Sequence, residues 1–172
     1  VRPITQLIIY FVVLGKFLGA ERGIPMFAIY IFTGLTAFGL FQEIVSNGTA
    51  SILNNAGLVK KVYVPRELFP LATVGTSVFN FLIQFGILLV ATVFLGEIRF
   101  SWDLFYLVPS FAILVSFGLA LALVLSAWFV YLRDVGYFVE VVMMVMLWAS
   151  PILYSWQMVR DVLNGLGQPW LL

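Results

Sequence analysis

No cysteine and no histidine occur among the 172 residues. The first absence excludes disulfides, thiolate metal sites and thiol nucleophiles. The second removes the usual general base and the commonest metal ligand. Charge is scarce too. Only 10% of the residues are Asp, Glu, Lys or Arg, against about a quarter in a soluble domain. They nearly cancel, to a formal net charge of +1, which leaves no electrostatic case for nucleic acid as a partner. What fills the chain instead is apolar: 63% of residues are hydrophobic and the mean hydropathy is +1.09. A water-facing surface cannot be built from this composition, so lipid is the expected solvent. Val1-Arg2-Pro3 leads straight into apolar sequence, with no initiating methionine and no signal-peptide pattern. The chain reads as beginning inside, or just before, a membrane helix, as a piece of a longer protein would.

A helix needs about 20 apolar residues to cross a bilayer. Pro25–Gln42, Leu68–Gly96 and Leu104–Leu132 carry no charge and are expected to be spans two, three and four. Pro3–Gly15 supplies most of a first span. Val141–Val159 is also free of charge, but Pro151 interrupts it. Proline inside a helix removes a hydrogen bond and clashes with the preceding turn. The fifth span, counted from about Val135, is therefore expected to end near Ser150, with a re-entrant or interfacial segment after it. A proline-kinked helix running on to Val159 is the alternative. The expected fold is all-α: a polytopic membrane helical bundle over 1–172, one domain.

Short loops set orientation through their Lys and Arg content. The most basic loop follows span two and holds Lys60, Lys61 and Arg66, so it is expected to be cytoplasmic. Within it, Asn47, Ser51, Asn54 and Asn55 recur at helical spacing and fall on one face. The expectation is a short helix along the membrane surface, polar side to the cytoplasm. Gln42 and Glu43 then sit at the inner end of span two. Pro65 suits the first turn of a new helix, because it lacks an N–H that would be unpaired there. Arg66 and Glu67 are adjacent and so point in different directions.

The ordered set of K-K-V-Y-V-P-R-E-L-F-P at Lys60–Pro70, Y-L-R-D at Tyr131–Asp134 and S-P-I-L-Y at Ser150–Tyr154 resembles the membrane subunit of ABC type-2 polysaccharide exporters, the Wzm and TarG type. The actinobacterial galactan exporter permease is one such relative. The resemblance runs over almost the whole chain. It implies six-helix subunits that pair as a homodimer with two copies of a nucleotide-binding ATPase subunit. It implies a cytoplasmic coupling helix between spans two and three, and outer re-entrant helices after span five. It also implies export of a lipid-linked polysaccharide, an O-antigen, teichoic acid or galactan precursor, across the bacterial cytoplasmic membrane. Such permeases carry an amphipathic helix before span one and a sixth span; neither is visible here, so the permease domain is expected to be incomplete.

On that reading the residues coupling to the ATPase are Asn54, Asn55, Lys60, Lys61, Pro65, Arg66 and Glu67. Arg133, Asp134 and Glu140 are candidates for an inner gate or substrate entrance, with helix-end charges as the plainer account of the first two. Glu140 is in reach of a pairing with Arg133, seven residues away, if both lie on one helix face. Tyr154 and Trp156 are either interfacial aromatics or a stacking path for sugar rings at the exit. No phosphate-binding G-x-x-x-x-G-K-[ST] occurs, since Gly15-Lys16 is followed by Phe17. ATP-Mg is therefore expected in the partner subunit, with no cofactor and no catalysis in this chain. A lipid or drug export permease is the alternative within transport. A membrane scaffold or a membrane-embedded glycosyltransferase is the alternative outside it.

Overall fold

The computed structural model describes residues 27–59, 61, 63–94, 105–152 and 160. The first span, Lys60, and Tyr154 and Trp156 lie outside the described residues. Five helices follow in order: α1 Phe27–Asn54, α2 Ala56–Val59, α3 Leu68–Phe94, α4 Leu107–Tyr131 and α5 Val135–Ala149. Among the described residues all regular structure is helical.

Two of these helices, over Leu68–Val90 and Leu107–Tyr131, are long and apolar enough to cross a membrane, yet only 17% of each apolar stretch is buried. A core helix of a soluble protein would be mostly covered. Here Phe79, Leu82, Val90, Ile113, Phe117 and Val124 stand exposed, as lipid-facing residues do. The protein is accordingly membrane-associated. The helix α5 is apolar apart from Glu140 but only fifteen residues long. That helix stops at Ala149, followed by a bend at Ser150 and a turn at Pro151 and Ile152. The expected break at the proline is therefore present.

The helix of span two continues past the charge-free run that marked it. No separate surface helix begins near Asn47. Instead α1 runs unbroken for 28 residues, past Gln42 and Glu43 to Asn54, and only the single turn α2 lies between it and the loop. No proline lies between Gln42 and Asn54, and Glu43, Thr49 and Ser51 there have local or inter-helix partners. The Thr49 hydroxyl donates to the Val45 carbonyl at 2.7 Å and the Ser51 hydroxyl to the Gly48 carbonyl at 2.6 Å. Both residues are buried. Ser51 thus belongs to the packed side of α1, not to a polar outer face.

The chain divides into two compact units, 1–35 with 145–172, and Thr36–Met144. In the first, the Tyr30 hydroxyl donates to the Pro151 carbonyl at 2.6 Å. In the second, α1 touches α3, α4 and α5. Phe41 and Val45 pack with Val139 and Met143. Leu40 and Ile44 pack with Val74, flanked by Phe81 and Phe111, whose rings stack at 5.0 Å between centroids.

The crossing of α1 and α4 is close because its residues are small. Gly118, Ala122 and Ser126 recur every fourth residue and are the buried residues of α4. A Cβ on Gly48 would stand 2.5 Å from the Cβ of Ala122, and one on Gly118 2.9 Å from Cγ2 of Ile44. Hydrocarbon tails are as apolar as leucine, so helices in lipid associate through such close backbone packing more than through the hydrophobic effect.

Candidate functional site

The loop after α1 is built from local backbone bonds. Asn55 caps the single turn of α2: its carbonyl accepts from Leu58 and Val59 at 2.9 and 3.0 Å. Its side-chain amide donates back to the Ser51 carbonyl at 2.8 Å. Asn54, Asn55 and Lys61 are exposed. The chain then runs without regular structure through Tyr63 and Val64 to Pro65.

Pro65 precedes the turn into α3 and does not lie, as expected, within the helix's first turn, since α3 begins at Leu68. The Pro65 carbonyl accepts from Leu68 at 3.1 Å, that of Arg66 from Phe69 at 3.3 Å, and that of Glu67 from Leu71 at 3.3 Å. Glu67 therefore holds the N-cap position of α3, where a negative charge meets the positive end of the helix dipole. Pro70 follows within the first turn, where its missing N–H costs nothing.

At the far end of α4, Leu132 leaves the helix with extended geometry and donates to the Trp128 carbonyl at 2.8 Å. Arg133 and Asp134 form the turn into α5. The Asp134 carbonyl accepts from Phe138 at 3.0 Å, which makes Asp134 the N-cap of α5, a favoured place for aspartate. The same-face pairing of Arg133 with Glu140 is not formed. Arg133 precedes the helix, so helical spacing does not relate the two. Both are exposed, and no ion pair joins them among the described residues.

The turn into α3 and the C-terminal part of α4, far apart in sequence, meet. Arg66, Glu67 and Pro70 line one side of an open cleft of about 170 Å³. Ile52 of α1 contributes to its wall, and Leu123, Ser126, Ala127, Val130 and Tyr131 supply the α4 side. The cleft carries one cation, one carboxylate, a phenol and a mostly apolar floor. Arg66, Glu67 and Tyr131 are exposed around it, whereas Ser126 is buried and donates to the Leu123 carbonyl at 2.9 Å. The mouth is charged at its edge and apolar within. Among the described residues no group of three or more Asp, Glu, His or Cys is placed to hold a metal ion.

Of the residues singled out from sequence, the structure brings together Arg66, Glu67 and the tyrosine of Y-L-R-D. Asn54 and Asn55 line none of the cleft. The sequence reading passed over Asn80, whose amide donates to Oε1 of Glu43 at 2.8 Å. Glu43 sits within α1 and is bonded to α3. The signal was an asparagine in the otherwise charge-free Leu68–Gly96 run. Ser126 was also missed, though Gly118, Ala122 and Ser126 at every fourth position mark a close helix contact.

No protein-family model matches the chain. It is 27% identical over 160 residues to the O-antigen export system permease protein RfbA of Klebsiella pneumoniae, covering 92% of this chain and 61% of that protein. It is 28% identical over 141 residues to the protein of the same name from Myxococcus xanthus, covering 82% of this chain and 54% of that one. The chain thus spans 54–61% of the length of these curated relatives. It is a distant homologue of O-antigen export permeases: a helical, membrane-associated protein related to the polysaccharide ABC exporter permeases in general.

Proposed function

We propose that this chain is the membrane subunit of an ABC exporter that moves a lipid-linked polysaccharide outward across the bacterial cytoplasmic membrane. Two copies pair with two ATPase subunits, and ATP-Mg is bound and hydrolysed there. The observation that carries the reading is the likeness to O-antigen export permeases along 92% of the chain, together with apolar helices left uncovered as lipid would leave them.

In this scheme the loop end of the helices faces the cytoplasm, as its lysines favour. The cleft between the start of α3 and the end of α4 is the socket in which a segment of the ATPase docks. Arg66 and Glu67 take opposite charges on the partner, and the apolar floor takes a side chain between them. Because Glu67 caps α3, a push on the socket is transmitted along that helix. Asn54, Asn55, Lys60, Lys61 and Pro65 shape the approach. Arg133, Asp134 and Glu140 guard the inner entrance, and Tyr154 and Trp156 the exit. An O-antigen is the glycan nearest to the relatives' printed activity; teichoic acid and galactan precursors are the other members of the class.

The experiment is a double substitution, Arg66→Ala with Glu67→Ala, in the full protein expressed with its ATPase. Export of the glycan should fall at least tenfold while ATP hydrolysis by the purified complex persists. Undiminished export in the double variant refutes the coupling role. An ATPase subunit that never co-purifies with the wild-type protein refutes the permease assignment.

A further inference from the structure

The helix α1 is exposed in a different manner from its neighbours. α3, α4 and α5 expose large apolar side chains along their length. Over residues 30–54 of α1 only Tyr30, near its start, does so. Its other exposed side chains include Gln42, Asn47 and Asn54, and Glu43 and Ser46 beside them are half-buried. At 3.6 residues per turn these five fall within an arc of roughly 140°. The apolar residues Leu40, Phe41, Ile44 and Val45 occupy the other side and are buried. One large apolar residue, Leu53, shares the polar arc near its end, and it is half-buried.

A polar arc on the end of a helix is ordinary when that end lies in water. Depth decides against this here. Asn80, which holds Glu43 at 2.8 Å, lies near the middle of the apolar Leu68–Val90 stretch. Helical rise puts it roughly 18 Å from Leu68, about half of a hydrocarbon core of roughly 30 Å. Glu43 and its neighbour Gln42 are at that same depth. The arc therefore extends from one end of the helices to the middle of the membrane. Gln42, uncovered at that depth, and the half-buried Glu43 beside it do not face lipid tails; such groups face protein or water.

We infer that this arc is the wall of a water-filled passage, and that a hydroxyl-rich chain runs along it. The chemistry selects the occupant. The arc has three amides, one hydroxyl and one carboxylate, with no Lys or Arg. Amides both donate and accept, and the carboxylate accepts; sugar hydroxyls do both in return. An apolar tail finds nothing to pack on, and a phosphate meets the Glu43 charge. Asn80 occupies one carboxylate oxygen of Glu43. This inference rests on the exporter reading and adds to it the stretch of wall that the glycan touches.

The absence of cysteine from these residues makes the test direct. In the full protein, any cysteine elsewhere is first replaced. Gln42→Cys and Asn47→Cys are then compared with Leu82→Cys and Val124→Cys, two exposed apolar positions on α3 and α4. A charged, membrane-impermeant thiol reagent is applied to right-side-out and inside-out vesicles. The arc cysteines should react at least tenfold faster than the controls, and should be protected when the exported glycan accumulates on the complex. Equal, slow reaction at all four positions overturns the inference. So does an oxidant-induced disulfide between two copies at Asn47→Cys, which would mean that a second copy covers the arc. Export and ATPase co-purification are measured in the same vesicles. If both persist while the arc fails to react, the passage is refuted and the permease assignment stands.

Discussion

Gly48 of α1 lies so close to Ala122 of α4 that a methyl group on the glycine would stand 2.5 Å from the alanine Cβ. Neither group has a torsion that could relieve the clash, and both backbones are held in long helices. Gly48→Ala should therefore destabilise the protein by about 1–3 kcal/mol, as overpacking of a tight contact does. The exchange Gly48→Ala with Ala122→Gly returns one methyl to the interface and should recover at least half of the loss. Thermal unfolding of the purified protein in detergent reads both.

Gly118 and Ile44 form the second tight contact, at 2.9 Å to Cγ2. Isoleucine is stiff at its first side-chain torsion in a helix, so its γ-methyl does not swing away. Gly118→Ala and Ile44→Ala are each expected to destabilise. Combined, they should cost less than their separate effects added together, by roughly 0.5–3 kcal/mol, the range for residues in contact. Additive losses in the double-mutant cycle would show that the two do not touch.

Asn80 and Glu43 join α3 to α1 by one hydrogen bond. Inter-helix bonds in membrane proteins contribute about 0.6 kcal/mol on average and up to about 1.7. Glu43→Gln keeps an acceptor oxygen for the Asn80 amide and should be nearly neutral in stability. Asn80→Leu leaves the carboxylate without that partner and should cost more, about 1–3 kcal/mol. The ordering of the two unfolding temperatures, with Asn80→Leu the lower, checks the bond.

Much of the architecture was legible in the pattern of apolar runs. Leu68 as the first residue of α3, Tyr131–Leu132 as the end of α4 and the stop before Pro151 all follow from charge-free stretches bounded by proline or charge. The length of α1 was not legible. Hydropathy reads Gln42, Glu43 and Asn47 as the end of a span, because it scores side chains against lipid alone. The partner of Glu43, Asn80, is on another helix. Ser51 escaped for a related reason: a hydroxyl bonded to its own helix counts as polar by type yet packs like a small apolar residue. At the candidate site, Arg66 and Glu67 stood out as charges bracketed by prolines. Their meeting with Tyr131 could not be read from a chain in which the two lie more than sixty positions apart.

The size order along the α1–α4 crossing has a consequence for motion. Ile44 rests over Gly118, the one residue of the buried α4 stripe without a Cβ, and Gly48 rests over Ala122. A slip of one turn in either direction would bring Ile44 against Ala122 or Leu114, where a methyl or a larger side chain fills the space. One-turn ratcheting, a common mode of helix displacement elsewhere, is thereby blocked for this pair. The two helices travel as one lever, and whatever rearrangement a working cycle demands has to pivot about their outside.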